Sequence, residues 1–169
     1  MEPRSTIIAD CGSRKSKFGL ARDIQVTKQV ISLPSTIAEH PVKQIREIVG
    51  GEPSTMERKG YKLKYPINLG MVTDLQSWLK IMHHIIRQEL YIWDGNKFDI
   101  VLCEAPLTSE ADRKKVIESL YETFDFHGVY MGSSATFALS ACREPHMTGL
   151  VIDSGYVISS FKFALGTVK

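Results

Sequence analysis

FDIVLCEAPL (residues 98–107) is a nearly continuous apolar run stopped by a proline, the pattern of a strand buried on both faces of a parallel sheet. Downstream, Ser109 with Asp112 can cap a helix whose apolar positions are Val116, Ile117, Leu120, Tyr121 and Phe124. A short strand over residues 128–131 and a helix over about 133–142 follow. Leu150, Val151 and Ile152 then form a strand that ends in Asp153-Ser154-Gly155, with a second strand-like stretch over residues 157–165. Upstream, Thr73-Asp74-Leu75-Gln76 matches a capping box, in which Thr73 and Gln76 satisfy the first free amides of a helix. Leu75, Trp78, Leu79, Met82, Ile85, Ile86 and Leu90 recur at helical spacing behind it and give one broad apolar face.

The N-terminal third adds strands. Residues 5–10 (STIIAD) run into Asp10-Cys11-Gly12-Ser13, and a second strand over residues 17–21 makes a hairpin with a polar tip. Residues 26–33 are a third strand, closed by Pro34. Residues 35–60 carry Pro41, Gly50-Gly51 and Pro53 on a weak pattern, and an irregular or partly mobile connection is expected there. The alternation of strands and helices predicts an α/β fold with a mixed sheet, and no repeat of fixed period runs through it.

The 169 residues suit one domain with a real core, and 43% hydrophobic with 24% charged residues excludes the disordered class. A net charge of +2, spread among acidic residues, does not indicate dedicated nucleic-acid binding; Arg14, Lys15 and Lys17 are the one local basic excess. Cys11, Cys103 and Cys142 lack metal-ligand spacing and are expected to be buried free thiols in a reducing compartment. No run approaches the roughly 18 apolar residues of a membrane helix, and the first residues do not begin a signal peptide. A cytoplasmic or nuclear protein without membrane contact is the expectation.

Two strands thus end alike, at Asp10-Cys11-Gly12-Ser13 and at Asp153-Ser154-Gly155, and each is followed by another strand. This resembles the paired phosphate-binding hairpins of the actin, heat-shock chaperone and sugar-kinase superfamily. The middle of the chain is similar to actin in order and spacing: Leu63-Lys64-Tyr65-Pro66-Ile67, Gly70-Met71-Val72-Thr73, His83-His84, Glu104-Ala105-Pro106-Leu107, Glu122-Thr123-Phe124 and Thr148 through Gly155. The resemblance is strong from about residue 61 to 155 and fainter before it. It implies the N-terminal half of an actin-like (ribonuclease H-like) fold as a single half-domain. Residues 1–33 and about 61–169 would be its inner subdomain, and residues 34–60 a reduced outer one.

The resemblance implies a vestigial nucleotide-phosphate and Mg²⁺ site at Asp10, Gly12, Ser13, Lys17, Asp153, Ser154 and Gly155. Asp10 and Asp153 would orient waters around the metal, and Lys17 would neutralise phosphate charge. Departures from the family weigh against a working site. Arg14 stands where the first loop needs a small residue, and the second loop's Asp-Ser-Gly-Asp-Gly becomes Asp153-Ser154-Gly155-Tyr156-Val157, which loses a carboxylate and a glycine. The water-positioning Gln and His correspond to Ser134 and Ser160, with a short insertion near residues 143–146. Leu69 replaces actin's modified His, the subunit-contacting loop is shortened between His40 and Glu52, and the second half with its adenosine motif would lie beyond Lys169.

These departures predict a pseudoenzyme: no catalytic residue, no resident metal and no cofactor, with ATP or ADP plus Mg²⁺ as the alternative. Arg14 and Lys15 can still attract an anion. The expected role is a non-catalytic actin-related structural subunit, with protein partners in a cytoskeletal, ciliary or chromatin-associated assembly. The competing expectation is an ATP-binding protein completed by a separate partner half; a filament-forming or capping variant is a third. Cytoplasmic, cytoskeleton-associated placement goes with the first, nuclear placement being its alternative, and an apolar surface near residues 142–165 is expected to be exposed as a partner interface. The remaining candidates read as structural. His83 and His84 are adjacent on a helix and point about 100° apart, so they cannot share a ligand. Cys11 reads as inert, and Trp78 and Trp93 as core and helix-end packing.

Overall fold

A computed structural model describes residues 4–23, 29–42, 47–142, 148–157 and 159–164. Its centre is a five-stranded mixed sheet in the order β10 (Gly128–Ser133), β9 (Phe98–Glu104), β1 (Ser5–Cys11), β2 (Lys15–Leu20) and β3 (Ile31–Pro34). β9 lies between β1 and β10 and runs parallel to both. β2 and β3 extend the sheet antiparallel. The fold class is therefore α/β with flanking helices, as the alternation implies.

One face of this sheet is the core. Ile7 and Ala9 of β1, Phe18 of β2, and Ile100 and Leu102 of β9 alternate onto it. Helix α2 (Leu75–His84) contributes Trp78, Ile81 and Met82, and helix α3 (Glu110–Phe124) contributes Val116, Leu120 and Phe124. The opposite face is covered less completely, because Val101 and Cys103 are only half-buried. That corrects the expectation of a strand buried on both faces: β9 keeps an apolar sequence while one side of it opens toward a cleft.

Helix starts follow local side-chain chemistry. Ser109 accepts the Asp112 amide at the start of α3 as expected. The α2 cap falls one residue later than the capping-box reading, since Asp74 takes the amide of Ser77 at 3.1 Å and its hydroxyl at 2.6 Å. Thr73 instead donates to the Pro66 carbonyl. The apolar face of α2 continues through a π turn, Ile85–Glu89, closed by the bond from Leu90 N to Ile85 O. This wide turn keeps both Ile85 and Ile86 fully buried. His83 is exposed and His84 half-buried beside Glu89, so the two histidines do point apart. Trp78 is fully buried, but Trp93 is 72% exposed beneath the Arg87 guanidinium and is not helix-end packing.

The second correction concerns residues 35–60. Their described residues form β4 (Ile37–Glu39), β5 (Ile48–Val49) and helix α1 (Pro53–Arg58), and β6 (Lys62–Lys64) completes a small sheet in the order β5-β4-β6. Ile37 is buried in the main core, and an ion pair between Lys64 and Glu39 links β6 to β4. A two-stranded ribbon, β7 (Ile67–Asn68) with β8 (Met71–Val72), leads into α2. The third strand expected over residues 26–33 begins at Ile31 among the described residues. Residues 26–28, the insertion near 143–146 and part of the shortened outer loop lie outside them.

Helix α4 (Ser134–Ala141) packs on β10 and carries the last element, the antiparallel hairpin β11 (Gly149–Ser154) and β12 (Ser159–Ala164). Among the described residues this hairpin is a sheet of its own, without backbone strand pairing to the five-stranded one. Leu150 pairs with Phe163 and Ile152 with Phe161, and all four are 51–78% exposed. The apolar surface expected near residues 142–165 is present on this face.

Candidate functional site

The two hairpin tips face each other across a cleft. Asp10 is the next-to-last residue of β1, level with Lys17 on β2 and Cys103 on β9. Asp153 sits near the end of β11, level with Ser160. Between them lies a cavity of about 400 Å³. All seven residues expected from sequence line it: Asp10, Gly12, Ser13, Lys17, Asp153, Ser154 and Gly155. Arg14, Lys15, Ser134, Tyr156, Val157 and Ser160 line it as well, so the departures from the family pattern converge on the same space.

The first tip is tightly built. Gly12 N donates to Lys15 O at 3.2 Å, and a Cβ on Gly12 would meet that same oxygen at 2.8 Å, which is why glycine is needed there. Ser35 holds the tip from behind: its amide donates to Arg14 O, its hydroxyl donates to Gly12 O at 2.6 Å, and it shares a buried bond with Ser16. Ser13 Oγ accepts the amide of Gly70 at 3.0 Å. Ser16 and Ser35 were missed in the sequence, where a serine after Pro34 reads as an ordinary turn residue. Only their burial reveals a role.

The second tip is more exposed. Ser154 and Ser159 share a hydroxyl bond at 2.9 Å, and Ser134 lies 3.5 Å from an Asp153 oxygen. Across the opening, the Arg14 guanidinium carbon sits 4.6 Å from the centre of the Tyr156 ring, within cation–π range. Glu104, on the cavity wall, is engaged by the Arg113 guanidinium.

Burial raises the pKa of Asp10 above the ordinary carboxylate value, Lys17 opposes the shift and Asp153 adds to it. The two carboxylates thus feel each other across the cavity. Burial pushes the Cys11 thiol up to about 12 and the Cys103 thiol up to about 11, with the charge of Asp10 adding to both. A raised thiol pKa disfavours the reactive thiolate at Cys11. The expectation of three buried thiols holds less well, because Cys11 and Cys103 are half-buried and Cys142 is exposed.

Between the ordinary thiol value of 9.0 and the raised folded values, the unfolded chain has lost protons that the folded chain retains. The thiols' contribution is complete below about pH 9 and lost as pH rises through 11 to 12. Urea midpoints should fall between pH 8 and pH 10.5, and Cys11→Ser with Cys103→Ser should flatten the slope. An unchanged slope in that double variant would remove the thiols as the cause.

Among the described residues no group of three or more His, Cys, Asp or Glu is arranged to hold a metal ion, and no helix is long and apolar enough to cross a membrane. A mixed sheet and a separate hairpin that bring Asp10 and Asp153 to one cleft define the class of fold that the sequence resembles. The chain belongs to the actin family: the family model described as Actin matches residues 1–162. It is similar to "Actin-related protein 2" of Arabidopsis thaliana, 29% identical over 160 residues that cover 92% of this chain and 40% of that protein. It is similar also to "Actin-related protein 2" of Schizosaccharomyces pombe, 29% identical over 154 residues, 88% of this chain and 39% of that one. The chain therefore spans about 40% of the length of these relatives.

Proposed function

We propose that this chain is a non-catalytic, actin-related structural subunit that works through protein partners in a larger assembly. The observation that carries the reading is the Arg14–Tyr156 stack between the hairpin tips. In the resemblance, small residues at these tips let backbone amides reach a polyphosphate; here a guanidinium and a phenol ring fill that approach. The residues present do not suit an ATP–Mg²⁺ complex. The exposed apolar face of Leu150, Ile152, Phe161 and Phe163 supports a role in docking, since patches of this kind mark protein interfaces. Membership of the actin family goes with a cytoskeleton-associated placement, with nuclear placement as its alternative.

A second reading has one observation in its favour. Asp10, Asp153 and Lys17 still converge on the cleft, which is compatible with an ATP-binding protein whose site is degraded but completed by a partner. Turnover separates the two. The structural-subunit reading expects phosphate release from ATP at the no-protein background, with and without a native partner. Release above background that disappears in Asp10→Ala or Asp153→Ala would favour the enzyme instead.

A further inference from the structure

Arg14 and Tyr156 do more than obstruct. Together with Ser13 and Val157 they border two cavities at once: the carboxylate cavity of about 400 Å³, and an outer one of about 650 Å³ that reaches Pro53, Tyr65 and Ile67. The stack is therefore the partition between two compartments of one cleft. Its two sides are also unequally supported. The Arg14 backbone belongs to the tip that Ser35, Lys15 and Gly70 hold in place. Tyr156 belongs to a hairpin outside the main sheet, tied to the body through α4, a bond from Lys162 Nζ to Ser133 Oγ, and the long contact of Ser134 with Asp153.

Electrostatics bears on such a tie. Asp10 and Asp153 repel each other across the cavity, a repulsion that Lys17 beside Asp10 offsets. A guanidinium laid on an aromatic face attracts the tips without requiring any ligand between them.

We propose that the Arg14–Tyr156 stack is a built-in clasp: it holds the β11–β12 hairpin against the rigid β1–β2 tip without a ligand and keeps the two compartments separate. Opening the clasp joins the compartments and loosens the hairpin that carries the exposed apolar face. The clasp occupies the cleft on which the structural-subunit reading rests, yet it is tested without nucleotide. ATP binding by the wild-type chain would overturn that reading and leave the clasp standing, whereas loss of the clasp would leave the reading standing.

The measurement is amide hydrogen exchange on residues 149–164, with residues 98–104 of the central strand as internal reference. Arg14→Met keeps the length of the side chain and removes its charge; Tyr156→Leu removes the ring; Tyr156→Phe keeps it. The single variants Arg14→Met and Tyr156→Leu should each speed exchange in the hairpin about two- to five-fold, the range of an exposed cation–π contact. The double variant should go no further than the faster single one, and Tyr156→Phe should match wild type. Wild-type rates in both single variants, additive effects in the double one, a Tyr156→Phe rate equal to that of Tyr156→Leu, or equal acceleration in the reference strand would each overturn the clasp.

Discussion

Gly95→Ala should cost at least about 3 kcal/mol and leave the chain largely unfolded at moderate urea. Gly95 opens the 3-10 turn Gly95–Lys97 that feeds β9, and it is buried against the end of α3. A Cβ there would lie 1.9 Å from the Phe124 carbonyl oxygen, 3.0 Å from its carbon and 3.3 Å from the Asp125 carbon. All three are backbone atoms, so no side chain can swing aside. Relief would require either the turn or the helix end to shift, yet Phe124 is fixed in the core and Asp125 closes the helix in a left-handed conformation. Gly60 is the control. Nothing lies within 4 Å of a Cβ there, but its φ of +79° strains an alanine, so Gly60→Ala should cost only about 1–2 kcal/mol. Equal midpoint shifts for the two variants would mean that the Gly95 contact relaxes more easily than its backbone surroundings imply.

Trp78→Ala should destabilise by about 3–5 kcal/mol, a large part of the stability of a domain this size. Trp78 is fully buried where α2 meets the sheet. Among the described residues its Nε1 meets no partner with full hydrogen-bond geometry, and the Cys11 thiol beside it serves at best as a weak acceptor. The ring therefore stabilises by packing while its donor is a liability, since an unsatisfied buried donor costs about 1–3 kcal/mol. Trp78→Phe should accordingly recover more than half of the alanine loss, because it keeps most of the packing and removes that donor. Cys11 ends the strand that leads to the first hairpin tip, so Trp78→Ala should also speed maleimide labelling of Cys11 relative to exposed Cys142. A Trp78→Phe midpoint as low as that of Trp78→Ala would show that the indole donor has a partner after all.

The sequence exposed the central architecture because long elements carry their own periodicity. The helix from Leu75 and the strand FDIVLC follow from spacing alone, and the paired endings at Asp10 and Asp153 placed all seven expected residues on one cavity. The outer sheet was hidden for the opposite reason. Two- and three-residue strands such as Ile48–Val49 and Ile37–Glu39 exist only through long-range pairing, and Pro41 with Gly50-Gly51 gives the segment the look of a loop. The α2 cap slipped by one residue because Thr73 and Asp74 are both able acceptors, and only the backbone geometry chooses Asp74. Arg14 and Tyr156 were each visible as departures from the family, but their contact was not. Residues so far apart in the chain meet only because two hairpin tips face one cleft.

The separation of this chain from a nucleotide-driven actin is most directly tested by calorimetric titration of Mg²⁺–ATP into the purified protein. Phosphates reaching the cavity would have to displace the Arg14–Tyr156 stack and sit beside two carboxylates balanced chiefly by Lys17. The predicted result is no saturable heat, and the same flat trace for Asp10→Ala and Asp153→Ala. Tight, Mg²⁺-dependent binding by the wild-type chain that vanishes in those two variants would contradict the account and establish the cleft as a working nucleotide site.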